Sequence, residues 1–174
     1  MEEKTASAGQ SALYYALLAG IALILTHLIL YVAGINESTA GQVISFVIFV
    51  AAIVVIQLDF RNKKLGGYIS YGKAVKIGFL SILFASIIVA IYMFIYLSYI
   101  NPGELTQRLL DAQQEIYNYG LSPEQEAQQL KMQEYIHTPI FYSIFTIVGY
   151  AILGIILALI TAIFVKKEEK VSLG

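Results

Sequence analysis

Four runs without a single Asp, Glu, Lys or Arg, at 11–33, 40–58, 77–100 and 140–165, limit what this chain can fold into. Each is at or near the ~20 residues that, at ~1.5 Å rise per residue, cross a hydrocarbon core of about 30 Å. With the third helix starting a turn earlier, the runs predict four transmembrane helices at about 11–33, 40–58, 74–100 and 140–165, within one membrane domain, 1–174. β-Branched residues are frequent in them, but the polar/apolar alternation of barrel strands is missing. The expected class is an all-α integral membrane protein, a four-helix bundle. Composition agrees: 58% of the 174 residues are apolar and the mean hydropathy is +0.71, beyond the range of soluble domains. The first run is too long for a signal-peptide core, and "MEEKTASAG" before it has two Glu against one Lys, so an uncleaved first span is expected.

Charge orients the spans. The connection between spans two and three holds Arg61, Lys63, Lys64, Lys73 and Lys76 against the single acid Asp59, and Lys166, Lys167 and Lys170 follow span four. The positive-inside rule puts both, and by parity the N-terminus, in the cytoplasm of a bacterial inner-membrane protein. "GINEST" and residues 101–138 then lie outside. The latter carry Glu104, Asp111, Glu115, Glu124, Glu126 and Glu134 against Arg108 and Lys131.

"GYISYGKA" in the basic connection nearly matches a phosphate-binding loop, G-x-x-x-x-G-K-[ST]. Ala74 replaces the hydroxyl residue, however, and the helix that follows enters the membrane, so nucleotide binding is not expected. Gly66 and Gly67 break the chain and Tyr68 and Tyr71 sit at headgroup level. Arg61, Lys63, Lys64, Lys73 and Lys76 form a cytoplasmic anchor to lipid headgroups.

Residues 101–138 predict an extracytoplasmic helical hairpin between helices 3 and 4. Asn101 is the N-cap and Pro102 the first helical residue; Gly120 is a stop, and Ser122, Pro123 and Gln125 open a second helix. Leu105, Leu109, Ala112, Ile116 and Tyr119 alternate at spacings of four and three, an apolar seam that packs the two helices together or binds a partner. Tyr92, Tyr96 and Tyr99 share a face of span three and join Tyr31, Phe141 and Tyr142 in an aromatic belt.

Chemistry is sparse. Absence of Cys excludes disulfides, thiolate metal sites, thiol nucleophiles and a lipidated Cys. His27 is the one histidine inside a span and reads as a packing residue; with His137 and Glu134 it lacks the local spacing of a metal site. No catalytic triad, metal motif or cofactor loop is present, so neither catalysis nor a cofactor is expected. Small residues recur every fourth position at Ala16 and Gly20, at Ser81 and Ala85, and at Gly154, Ala158 and Ala162, and allow close helix packing.

The pattern of Gly66, Gly67, Ile69, Ser70, Tyr71, Gly72, Ala74 and Gly78, with "YINPG", "GLSPEQ" and "ALITAIFVKK" after it, resembles a bacterial family catalogued as domain of unknown function 4199. The resemblance implies a small integral membrane protein of the inner membrane and brings no activity or catalytic residues. A non-enzymatic accessory or assembly protein of the envelope is the preferred function. Its partners would be membrane lipids and an envelope protein or further copies of itself, not nucleic acid. An oligomeric transporter or channel for a small or lipophilic solute is the alternative, its polar path drawn from Gln57, Thr26, His27, Ser45, Ser86, Thr146 and Thr161.

Overall fold

The computed structural model describes residues 8–168. Lys170, used above for orientation, and most of "MEEKTASAG", used above for the uncleaved first span, lie outside the described residues. The apolar runs form helices α1 (Ala8–Val32), α2 (Thr39–Asp59), α3 (Tyr71–Ile95) and α6 (Pro139–Val165), with α4 (Pro102–Asn118) and α5 (Pro123–Ile136) between α3 and α6. The described residues contain no strand, only an isolated antiparallel bridge between Ile69 and Lys167. Counting their continuations, α1, α2, α3 and α6 are long and apolar enough to cross a membrane.

Two of these helices change winding at their ends. After Asp59 the chain continues as a π-type turn, Phe60–Lys64, and after Ile95 as another, Tyr96–Ile100. The wider winding alters which residues face the same way. It divides the expected tyrosine face of the third span: Tyr96 is fully buried and stacks 5.9 Å from Tyr92, whereas Tyr99 is 77% exposed. Tyr96 is therefore a packing residue and not part of an aromatic belt.

The chain divides into two compact units, residues up to Val89 together with those from Gly149 onward, and Ala90–Val148. In the first, α1 packs on α2, and Ala12, Ala16, Ala19 and Gly20 of α1 are buried. Gly20 of α1 lets Ile88 of α3 approach, and Gly154 of α6 does the same for Ile82. Close approach of this kind replaces the hydrophobic drive that lipid cannot supply between helices. Outward-facing Ile29, Val32 and Phe164 are largely exposed, as lipid-facing side chains must be.

In the second unit α4 and α5 pack on each other. Pro102 opens α4, and Gly120, at φ +62°, follows its end. The α5 start has a complete capping box: the Ser122 hydroxyl accepts from the Gln125 amide, and the Gln125 side chain accepts from the Ser122 amide. Asn101 departs from expectation, because its side chain makes no cap bond to α4 and turns to other partners.

Candidate functional site

The α4–α5 segment starts from a polar hub in the second unit. Glu104, in the first turn of α4, accepts hydrogen bonds through Oε2 from the Tyr96 hydroxyl at 2.9 Å and the Asn101 amide at 3.1 Å. Its Oε1 pairs with the Arg108 guanidinium at 3.1 Å, and that guanidinium lies 5.9 Å from the centre of the Tyr142 ring. A carboxylate at a helix N-terminus meets the positive end of the macrodipole, and charge-assisted bonds hold the first turn. The buried tyrosine and the displaced asparagine together fix where α4 leaves the end of the third span.

Beyond the hub, the seam and the open surface separate. Leu105 and Ile116 are buried, Leu109 and Ala112 are half-buried, and Tyr119 is exposed. The Tyr119 hydroxyl instead donates to Glu115 at 2.8 Å, and the neighbouring carboxylate raises the phenol's pKa above its ordinary value. Leu110 and Tyr117, seven residues apart on another side of α4, and Met132 and Tyr135, three apart on α5, each leave more than half of their surface open. His137 accompanies this region, its ring Nδ1 2.9 Å from the Gln133 carbonyl and its centre 6.2 Å from that of Tyr142.

In the first unit the basic connection is tied down by backbone. Gly66 and Gly67 adopt φ of +65° and +94°, a region closed to most side chains, and turn the chain so that Ile69 and Lys167 exchange amide-to-carbonyl bonds of 2.8 and 2.9 Å. The Gly67 amide bonds the Arg61 carbonyl and the Ala74 amide bonds the Ser70 carbonyl. The amides of Gly67, Ile69 and Ala74 in the phosphate-loop-like stretch are thus engaged with the chain itself. Lys167 lies over the Tyr68 ring at 5.3 Å.

The anchor residues take different positions. Arg61 donates to the carbonyl of Val165 at 2.9 Å, capping the C-terminus of α6, where a cation is favoured. Lys63 pairs with Asp59 at 2.6 Å, and the same carboxylate accepts from the Tyr15 hydroxyl at 2.9 Å. Lys64, Lys73 and Lys76 are exposed. Of the packing residues, Ala16, Gly20, Gly154, Ala158 and Ala162 are all buried.

Gln57 has a role that composition does not disclose. Fully buried, its amide nitrogen donates to the carbonyls of Ala74 and Ala158, both at 3.2 Å, and so joins α2 to α3 and α6. Gly78 makes the room, since a Cβ there would come within 2.9 Å of that nitrogen. Thr26, Thr146 and Thr161 each bond the carbonyl four residues back, and Ser86 the carbonyl three back. His27 and Ser45 are half-buried. Among the described residues no three His, Cys, Asp or Glu gather as metal ligands.

A family model described as "Protein of unknown function (DUF4199)" matches residues 14–167. Comparison with curated proteins and comparison with solved structures found no match. The matched stretch takes in α1 from Tyr14 onward and the whole of α2 to α6, and the chain belongs to the DUF4199 family.

Proposed function

We propose that this member of the DUF4199 family is a non-enzymatic accessory or assembly protein of the bacterial inner membrane, and that α4 and α5 engage another envelope protein. Both termini lie in the cytoplasm and the α4–α5 pair lies outside. The observation that carries the reading is the division of apolar surface on that pair. Leu105 and Ile116 are turned inward, yet Leu110, Tyr117, Met132 and Tyr135 stay open on helices that are otherwise polar. Aromatic and Met side chains are the types enriched where proteins meet. Orientation rests on the five bases of residues 61–76 against the acidic balance of residues 101–138. The hydroxyls that bond their own helices, and a glutamine that bonds two backbone carbonyls, support packing over a solute path.

The test is cross-linking in native membranes from a photoreactive residue at Tyr117 or Tyr135, with mass spectrometry of what stays attached after mild detergent extraction. One heterologous envelope protein is the expected product. Links to other copies of this chain alone would overturn the accessory role and favour the oligomeric transporter or channel.

A further inference from the structure

The first unit has a groove between α1 and α2 of about 390 Å³, with Leu18, Ala19, Ala22, Ala51, Ala52 and Val55 among its lining residues. Four alanines keep this part of the surface low. Tyr14, Tyr15, Asp59 and Lys63 line the groove and also a second recess of about 260 Å³, to which Ser11 and Lys64 contribute. An apolar trough therefore adjoins a polar, charged end. That combination suits neither a water-soluble ion nor a plain hydrocarbon. It suits an amphiphile.

Two observations define the head of that amphiphile. Asp59 is already engaged by the Tyr15 hydroxyl and by Lys63, but an ammonium has three protons to donate, and Lys64 beside it brings a second positive charge. Among the described residues the recess thus has one positive charge beyond what Asp59 balances. Ser11, only 5% exposed, has a hydroxyl with no hydrogen-bond partner among the described residues, whereas Ser81, Ser143 and Thr161 bond their own helices. A buried unpaired hydroxyl beside surplus positive charge is suited to an anionic oxygen.

We propose that this groove is a site for one phospholipid, its phosphate held by Lys63, Lys64 and the Ser11 hydroxyl and one acyl chain lying along the alanine-lined trough. The site is narrower in meaning than headgroup contact by a basic loop, because the chain of the lipid also has a fitted place. It depends neither on a protein partner at α4–α5 nor on which side of the membrane the groove opens.

The test uses the full chain in nanodiscs of equal parts phosphatidylglycerol and a phosphate-free galactolipid, released into mild detergent and weighed intact by native mass spectrometry. One retained phosphatidylglycerol per chain is expected, enriched about tenfold over the galactolipid. Lys63→Gln with Lys64→Gln should abolish the preference, and Ala22→Phe or Ala51→Phe should abolish retention at an unchanged melting temperature; both alanines are exposed, so neither change enters the core. Retention of the two lipids in the ratio of the disc overturns the proposal. So does retention that both phenylalanine variants leave intact.

Discussion

Gly154 illustrates how single atoms hold the packed helices of the first unit together. A Cβ at this position would lie 2.8 Å from Cγ2 of Ile82, a fully buried side chain with little freedom to yield. Gly154→Ala is expected to destabilise the protein by about 1–3 kcal/mol, as overpacking does. Gly149, on the same helix, has nothing among the described residues within 4 Å of the equivalent point, so Gly149→Ala should be neutral or gain up to ~1 kcal/mol of helix propensity. Thermal unfolding in one detergent compares the two; equal midpoints would contradict the close approach. Gln57 makes the opposite use of space. Its nitrogen is satisfied twice while its buried Oε1 has no partner among the described residues, so part of what the two donated bonds contribute is offset by an unpaired acceptor.

At the scale of elements, the α4 seam is a separate claim from the open face beside it. Leu109→Asp with Ile116→Asp places carboxylates at a half-buried and a buried position, where an unpaired charge costs several kcal/mol. Added protease should then cut residues 101–138 much faster than in the parent. Tyr117→Ser, at an exposed site, should leave the cleavage rate unchanged. Undiminished protection in the double variant would contradict the seam. The existence of the six helices was legible, and their ends were so where a local signal marks them: a charge block after the second run, Pro102 and Pro139 at helix starts, Gly120 at a stop, and the Ser122–Gln125 box. The π-type turns were not. Phe60–Lys64 and Tyr96–Ile100 have no compositional mark, and a change of winding there buries Tyr96, exposes Tyr99 and leaves Asn101 bonding Glu104. The Tyr15–Asp59 bond, the Gln57 links to Ala74 and Ala158, and the Ile69–Lys167 bridge pair residues far apart in the chain. Periodicity along one segment carries no information about such pairs.

For the molecule as a whole, the proposed function depends on which side of the membrane α4 and α5 occupy. In the proposed orientation the bases at 61–76 would gain electrostatically at an anionic cytoplasmic leaflet, by roughly 1 kcal/mol for each that stays near the surface, while the acidic balance of residues 101–138 offers no such gain. Because the chain has no cysteine, single substitutions report topology without background. The most direct measurement is labelling of Ser38→Cys, Ser122→Cys and Ser70→Cys in intact cells with a membrane-impermeant maleimide, before and after permeabilisation. Cysteines at 38 and 122 labelled in intact cells, with one at 70 labelled only after permeabilisation, is the predicted result. The reverse pattern would put α4 and α5 in the cytoplasm and contradict an accessory role exercised outside the membrane.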